Sequence, residues 1–318
     1  MTECEIKPYH TSYKSVWDEF VRNSRNGTFL FLRDYMDYHA DKFKDNSLMF
    51  YKKNKLIALL PAHINEDVFS SHSGLTYGGF IVDEHMTGSM MMELFELVQQ
   101  YLKNNTSAKK WIYSPIPYIY ICYPCEEDLY ALFRNNAKIK ERRISSVIMP
   151  SNTYGFSELR KRKVRKAKKN GLTITNNDEC FDDFWQILEE NLEKRYNTVP
   201  VHTLEEIKSL HNHFKENIQL YRVCDECKKK TLAGCIIYYT GNVAHVQYIA
   251  STDEGKELGA VDLLFHYLIN NKFKNIRYFD LGTSVEQGGK YLNEGLLFQK
   301  EGFGGRAVVY DTYEMEIK

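Results

Sequence analysis

The stretch from residue 280 to residue 306 combines several kinds of chemically useful side chain. It reads DLGTSVEQGGKYLNEGLLFQKEGFGGR and follows an apolar segment that is typical of a buried strand. Lys300 is the strongest catalytic candidate, because a fixed cation can stabilise the negative oxygen that develops when a nucleophile attacks an acyl carbonyl. A solvated surface lysine is the alternative interpretation.

Residues on the neighbouring predicted strands are candidate partners for Lys300. Asp280 is a candidate to orient a nucleophile or to receive its proton. His245 and Gln247 lie two residues apart on one predicted strand, so we expect both to point to the same face and towards the site. The alternative for His245 is a histidine whose hydrogen bonds are satisfied in the core.

Four further polar residues of this stretch are predicted to bind ligands. Thr283 and Ser284 are predicted to contact the donor, and Asn293 and Glu294 are predicted to contact the second substrate. Helix caps and turns use the same residue types, so a purely structural role remains open for each of them.

Residues 255–260, GKELGA, lie between a predicted strand and a predicted helix and form a candidate phosphate site. Exposed amide groups and the helix dipole can hold a phosphate there, and small residues let the backbone approach it closely. Lys256, Gly259 and Ala260 are the predicted donor-binding residues. A glycine turn that merely begins a helix is the alternative.

Residues 160–169, RKRKVRKAKK, contain eight cations. As a helix, this segment has a thin apolar edge made by Leu159, Val164 and Ala167, which leaves the other side chains free to contact the phosphates of a nucleotide or of an RNA acceptor end. Arg165 is therefore predicted to contact the donor. A solvated helix between domains is the alternative.

Residues 71–79, SHSGLTYGG, crowd small and polar side chains at the corresponding place in the first half of the chain. His72, Tyr77 and Gly78 are predicted to contact a substrate. An ordinary connection rich in turn residues is the alternative.

The elements that must position these residues occur twice, at an offset of about 170 residues. We predict two modules, residues 1–152 and 153–318, each an α/β (α+β) unit with a mixed, mostly antiparallel central sheet flanked by helices. The predicted elements include a helix at 90–102 with five apolar residues at helical spacing, a strand at 276–281, a helical turn at 291–298 and a strand at 306–313.

Composition narrows the class of protein. The 318 residues carry 42 basic and 42 acidic side chains, so the formal net charge is zero and any nucleic acid or anionic lipid must be held by a local patch. The amino terminus lacks the apolar core of a signal peptide, and no apolar run approaches the ~20 residues that span a bilayer, which predicts a cytoplasmic protein.

The seven cysteines do not suggest a disulfide framework, because their number is odd and their positions are scattered. Two Cys-x-x-Cys pairs, at residues 122–125 and 224–227, have the spacing of zinc ligands, but nothing in the sequence makes them converge, and we predict no metal. Motifs of serine hydrolases, zinc proteases and P-loop enzymes are absent from the sequence.

Two segments resemble those of the Fem-type, FemABX-like branch of the GNAT superfamily, whose members are bacterial acyltransferases with two GNAT-like modules. Residues 159–171 are similar to the basic entry of the second module, and residues 278–305 are similar to its ending. The resemblance spans nearly the whole chain. It implies a donor at the second module, an acceptor in the cleft between the modules, and a match of Lys300 to the lysine of that ending.

The function predicted from the residues and the resemblance is acyl transfer. An amine of a cell-envelope or polysaccharide precursor would attack an acyl-CoA thioester or an aminoacyl-tRNA ester, with these donors as co-substrates and no tightly bound cofactor. The GNAT pyrophosphate pattern is only approximated by residues 256–261. The alternative is a non-catalytic protein that binds RNA or a nucleotide-linked sugar.

Overall fold

The computed structural model describes residues 4–39, 43–71, 74–176, 180–225, 227 and 230–318. In chain order, the helices are α1 (Lys14–Asn23), α2 (Arg33–Met36), α3 (Gly88–Asn105), α4 (Glu127–Arg134), α5 (Glu158–Lys169), α6 (Phe181–Tyr196), α7 (Leu204–His213), α8 (Asp253–Leu258), α9 (Ala260–Tyr267) and α10 (Glu294–Glu301). Of these helices, none is both long and apolar enough to cross a membrane.

The strands complete a mixed α/β structure. In chain order they are β1 (Cys4–Pro8), β2 (Leu48–Lys52), β3 (Lys55–Leu60), β4 (His63–Asn65), β5 (Val68–Ser70), β6 (Ile81–Val82), β7 (Lys110–Tyr113), β8 (Lys138–Ile148), β9 (Thr173–Thr175), β10 (Ile218–Cys224), β11 (Thr231–Tyr239), β12 (Val243–Ser251), β13 (Tyr278–Thr283), β14 (Val285–Glu286), β15 (Tyr291–Leu292) and β16 (Arg306–Glu316). The predicted fold class, sheets flanked by helices, is confirmed.

The chain forms two compact units. Unit one contains residues 1–143, 287–290 and 309–318, and unit two contains residues 144–286 and 291–308. The division differs from the predicted boundary after residue 152, because unit two begins earlier and residues 309–318 return to unit one. The sequence pattern gives no sign of this return.

Unit one has its core between α3 and two groups of strands. The first group has the order β1-β2-β3-β6, and the second has the order β4-β5-β7-β16. The apolar stripe of α3 is buried as its spacing predicts, and its members are Met91, Leu94, Phe95, Val98 and Leu102. Phe95 stacks on Trp111 of β7 at a centroid distance of 5.0 Å, which fixes the helix against the strands.

Unit two is built on strands in the order β8-β13-β12-β11-β10-β9. All of these pairs are antiparallel except β12 with β13. One face of the sheet packs against α9, with Leu264, Phe265 and Phe279 in the same buried cluster. The other face packs against α6, whose Phe184 lies so close to Gly234 of β11 that a Cβ there would be only 2.6 Å from the ring.

The sheet of unit two opens between β12 and β13. These strands pair over three residues only, from Val243 opposite Tyr278 to His245 opposite Asp280. Two residues after His245, a register shift in the pairing of β11 with β12 leaves Gln247 without an opposite residue. Such a bulge bends and twists the strand that carries it. Beyond His245 the two strands therefore separate, and a gap remains between them.

Candidate active site

A cavity of about 470 Å³ lies in unit two where β12 and β13 separate. Val246, Ile249 and Ala250 line it from β12, and Leu281 lines it from β13. The charged members of its wall come from five helices and are Arg160, Lys163, Arg195, Lys256, Asp262 and Lys300. The wall is therefore apolar between the strands and strongly basic where the helices close it.

The balance of charge in this wall favours an anionic ligand. Arg160 donates to Asp262 at 3.0 Å, and Lys256 pairs with Asp253 at 2.6 Å. Lys163 and Arg195 have no ion pair within the described part of the chain. Unpaired cations around a partly apolar cavity attract phosphate groups, because the low-dielectric wall strengthens the interaction.

Lys300 enters the cavity from α10 and is held in one position. Its ammonium donates to the carbonyl oxygens of Gly282 at 2.8 Å and Thr283 at 2.7 Å. Burial lowers the pKa of Lys300 to about 8, and the nearby Asp280 carboxylate acts in the opposite direction. An ammonium has three donors. Two are used by these carbonyls, so one remains for a ligand oxygen.

The backbone of β13 supplies the two carbonyls because it turns sharply at Gly282. This residue has φ +78°, and the pairing of β13 with β8 shifts register between Asp280 and Thr283. A left-handed backbone at this point is accessible to glycine at little cost. The helix that carries Lys300 is also fixed at its start, since the Asn293 side chain accepts the Leu296 amide at 3.0 Å.

Asp280 and His245 are brought together beside Lys300. They are opposite residues of the short parallel pairing, and His245 Nδ1 lies 2.7 Å from Asp280 Oδ2. The other oxygen of Asp280 accepts from Ser145 Oγ at 2.5 Å and from the Gly282 amide at 2.9 Å. Asp280 is fully buried.

Gln247 does not follow the expectation for a regular strand. The bulge at this residue places Val246 opposite Ile237 and Tyr248 opposite Ile236. Side chains therefore do not alternate regularly between the two faces of the sheet from His245 to Gln247. The prediction that both point to the same face assumed a regular strand, which the bulge interrupts. Gln247 Oε1 is buried and has no hydrogen-bond partner among the described residues.

The predicted glycine turn is largely helical. Residues 253–258 form α8, and Gly259 ends it with φ +80° before α9 begins. Lys256 lines the cavity, whereas Ala260 lies in the hydrophobic core. A Cβ on Gly259 would come within 2.7 Å of the Lys163 carbonyl oxygen, so this glycine allows α5 to approach closely.

The basic helix α5 contributes different residues from the one predicted. Arg165 is exposed and is not part of the cavity wall, whereas Arg160 and Lys163 are. The sequence analysis assigned the inward edge to Leu159, but Leu159 is 40% exposed and Arg160 is buried. The spacing of Arg160 with Val164 and Ala167, four and seven residues apart, was the signal that could have indicated this face.

The remaining predicted ligand residues are spread over several environments. Thr283 offers its carbonyl to Lys300, and Ser284 is buried with an Oγ that has no partner among the described residues. Asn293 caps α10 and donates to Glu286 at 3.0 Å, and Glu294 is exposed. None of the four lines the cavity of unit two in the part of the chain that is described.

The residues predicted from the first half belong to unit one. Tyr77 is buried, and its hydroxyl donates to Thr28 Oγ1 at 3.2 Å. The Gly78 amide donates to the Ser114 carbonyl at 2.8 Å, and a Cβ on Gly78 would meet the Ser71 carbonyl at 3.0 Å. These contacts are structural. His72 lies outside the described residues.

Arg195 was missed by the sequence analysis. It lies in the last turn of α6 and lines the cavity together with Asn191 of the same helix. A basic residue in the last turn of a helix is usually explained by a favourable interaction with the helix dipole. The sequence around Arg195 therefore did not indicate a functional role. Among the described residues, no group of three or more His, Cys, Asp and Glu side chains could hold a metal ion.

Comparisons with known proteins agree with the geometry of unit two. A sequence model of the acetyltransferase (GNAT) domain matches residues 158–291. A search of curated proteins gives no match.

Solved structures share the fold over nearly the whole chain. The crystal structure of FemX matches with a TM-score of 0.67 at 12% identity, over 97% of this chain and 96% of that chain. L-PGS from Bacillus licheniformis matches with a TM-score of 0.62 at 12% identity, over 97% and 92%. The C-terminal domain (DUF2156) of a putative lysylphosphatidylglycerol synthetase from Agrobacterium fabrum matches with a TM-score of 0.57 at 11% identity, over 93% and 91%.

Proposed function

We propose that this chain, an acyltransferase with a GNAT domain in a Fem-like fold, transfers an acyl or aminoacyl group from a phosphate-bearing donor to an amine. Acyl-CoA and aminoacyl-tRNA are the two donors considered, and the acceptor is an amine of a cell-envelope or polysaccharide precursor. The name of one matching structure, a putative lysylphosphatidylglycerol synthetase, gives an aminoacylated lipid as the product of that protein. This name supports a lipid of the cell envelope as an acceptor for this chain, and the choice of an amine as the attacking group is part of the proposal.

The observation that carries the proposal is the basic cavity that ends at Lys300. It lies in the gap between β12 and β13, and its unpaired cations, Lys163 and Arg195, suit the phosphates that both donors carry. The apolar wall between the strands suits the uncharged arm that joins those phosphates to the acyl group. Lys300 then lies where the acyl carbonyl would be bound.

In the proposed reaction, the amine nitrogen attacks the carbonyl carbon of the thioester or ester. The carbonyl oxygen gains negative charge, and the remaining donor of the Lys300 ammonium stabilises it. When the tetrahedral intermediate collapses, the bond to sulfur or oxygen breaks, the thiol or hydroxyl leaves, and the nitrogen loses a proton. Lys300 needs no proton transfer of its own for this role, but it must stay charged.

The donor site is tested by removing its unpaired cations. In the double variant Lys163→Ala/Arg195→Ala, we expect the KM for the donor to rise about tenfold or more while kcat changes little, because remote phosphates are bound equally in the ground state and the transition state. The measurement is steady-state transfer from acyl-CoA and from aminoacyl-tRNA to a panel of amines, with products identified by mass. Lys168→Ala, on the exposed face of α5, is the matched control for transfer from acyl-CoA.

Two outcomes would contradict the proposal. One is wild-type protein that forms no acylated amine from either donor. The other is a double variant with an unchanged KM for the donor that the wild type uses. An effect of equal size in Lys168→Ala would mean that the general positive charge of α5, and not the cavity, binds the donor.

The non-catalytic alternative depends on the outer face of α5. Five cations on this helix are exposed and belong neither to the cavity nor to a described ion pair, and they are Arg162, Arg165, Lys166, Lys168 and Lys169. A cluster of this kind suits an RNA backbone. Tight RNA binding with no acyl transfer would favour this alternative.

A further inference from the structure

The hydrogen bonds of Asp280 determine which ring nitrogen of His245 carries the hydrogen. Two of the hydrogen bonds described for the Asp280 side chain have a defined donor, and in both of them the carboxylate accepts. The donors are Ser145 Oγ and the Gly282 amide. A fully buried carboxylate with these donors serves as an acceptor for His245 Nδ1, which lies 2.7 Å away. His245 Nδ1 therefore carries the hydrogen, and Nε2 has the lone pair that can accept a proton.

The pair faces away from the core of unit two. Val246 of β12 and Phe279 and Leu281 of β13 belong to the buried cluster that includes α9. Because side chains alternate along a strand, His245 and Asp280 point to the opposite face of the sheet. Neither side chain is among the described residues that line the cavity, so the imidazole approaches the gap between β12 and β13 from the face opposite to α9.

The imidazole lies next to the group that is proposed to bind the acyl carbonyl. A Cβ placed on Gly282 would be 3.7 Å from His245 Cε1 and 4.0 Å from Lys300 Nζ. The two side chains therefore flank the one residue of β13 that has no side chain of its own. A reacting carbonyl between them would meet a cation for its oxygen and a basic nitrogen for the attacking amine.

The surroundings of His245 leave Nε2 available. No hydrogen bond of this atom occurs among the described residues. In the described part of the chain, the titratable groups on this face include Asp280 of β13, Lys300 of α10 and Tyr238, which is opposite His245 on β11. Tyr248 lies farther along β12, and His202 is hydrogen-bonded to its hydroxyl. From α6, Trp185 packs against Tyr248 and brings no charge to this face.

We propose that His245 is the general base of the transfer and that Asp280 is its positioning residue, an inference that rests on the proposed acylation of an amine. As the amine nitrogen forms its bond to the carbonyl carbon, Nε2 takes the proton that the nitrogen loses. Nδ1 keeps its hydrogen on Asp280 throughout, and the imidazolium is stabilised by that carboxylate. The proton then passes to the leaving thiolate or alkoxide, so the imidazole is neutral again for the next cycle.

The direct test replaces the imidazole. In His245→Gln, we expect kcat/KM for the acceptor to fall by about 10²-fold or more near neutral pH, the range typical for loss of a general base, with an unchanged KM for the donor. The deficit should shrink at high pH, where hydroxide can take the proton that the attacking nitrogen loses. His213→Gln, an exposed histidine of α7, is the matched control.

Two further variants separate a base from a structural residue. Added imidazole should restore part of the rate of His245→Ala, because a small base can enter the vacated space. Asp280→Asn should lower kcat, since an amide can stabilise the wrong tautomer, and its equilibrium donor binding should stay unchanged. Thermal unfolding of each variant shows whether the fold persists.

The outcomes distinguish this inference from the proposed function. If wild-type protein acylates amines and His245→Gln keeps the full rate at every pH, only the role of His245 is wrong. A loss of rate that is equal at every pH and does not respond to imidazole would mean that His245 acts structurally, which also overturns the inference. Wild-type protein without any transfer activity would instead contradict the proposed function.

Discussion

At the scale of single residues, Lys300 combines a fixed position with a lowered proton affinity. Two backbone carbonyls hold its ammonium, and burial lowers its pKa to about 8. Burial therefore lowers the pH at which Lys300 loses its charge, from strongly alkaline values towards the range in which enzymes are assayed. The side chain can stabilise a developing oxyanion only below that pH.

This property predicts an alkaline limb in the pH dependence of transfer. As the pH rises above about 8, Lys300 loses the proton that carries its charge, so kcat/KM should fall. Lys300→Arg should lack this limb because a guanidinium stays charged. Lys300→Met should lower turnover about 10²-fold or more below pH 8, the size expected for loss of an oxyanion partner, and its deficit should narrow at higher pH, where the wild type also loses this charge. Rates measured from pH 6 to 10 check all three proteins.

A fully active Lys300→Met protein would remove Lys300 from the mechanism. An alkaline limb that persists unchanged in Lys300→Arg would assign the titration to another group. Unfolding transitions of both variants serve as the control for loss of structure.

At the scale of elements, α5 shows that a buried ion pair can change which face of a helix points inward from the face that its apolar pattern suggests. Arg160 takes an inward position with its guanidinium on Asp262 of α9 and over the Phe303 ring, 4.9 Å from its centroid. Burial raises the pKa of the Asp262 carboxyl, and Arg160 opposes that shift. A hydrophobicity pattern cannot anticipate this arrangement, because the partner of Arg160 lies about a hundred residues away.

The pair predicts a non-additive effect on stability. Arg160→Met should lower the free energy of unfolding by about 3 kcal/mol, because it leaves the buried Asp262 carboxylate without its partner. The double variant Arg160→Met/Asp262→Leu should recover most of this loss. Lys161→Met, which breaks an exposed pair with Glu158 on the same helix, should change the free energy of unfolding little, because solvent screens that pair.

Urea unfolding of the four proteins measures these differences. If the double variant were as unstable as Arg160→Met, the cost would come from lost packing around Phe303 and not from the unpaired carboxylate. The comparison thus separates the charge of Arg160 from its packing.

Local pattern predicted the regular elements better than the irregular points between them. The stripe of α3 follows from spacing alone, and the predicted strand at 276–281 overlaps β13. The predicted helical turn at 291–298 overlaps α10 but starts three residues early. The bulge at Gln247 and the turn at Gly282 depend on which strand pairs with which, so they are not encoded in any short window of sequence.

The candidate site was predictable to a similar degree. Lys300 and Asp280 stand out because a charged residue in a largely apolar stretch requires polar partners if it is buried. Arg195 does not stand out, because a basic residue near the end of a helix is ordinary. Its place in the cavity wall depends on the approach of α6, which no local pattern describes.

At the scale of the whole molecule, a chain with no net charge concentrates its cations locally. The cavity and the outer face of α5 carry different cations. The salt dependence of the binding affinity can therefore distinguish a ligand that contacts one set from a ligand that contacts both. Arg165→Ala/Lys168→Ala/Lys169→Ala should make the slope of log affinity against log salt for tRNA shallower by about 2, since each phosphate contact to a single strand contributes about 0.7. Binding of acyl-CoA should not change.

Equilibrium binding between 50 and 300 mM salt provides this measurement. A triple variant with the tRNA slope of the wild type would mean that the outer face of α5 does not contact RNA, and the non-catalytic alternative would lose its support. Equal weakening of both ligands would instead point to one continuous basic surface.

The late return of β16 to unit one has a consequence for biosynthesis. Residues 313–316 pair with residues 110–113 of β7, although almost two hundred residues of chain are made between them. During translation, β7 must therefore wait with one edge unsatisfied while the residues of unit two are made. Purified protein truncated after residue 308 should show unit two protected from protease while β7 and its surroundings are cleavable.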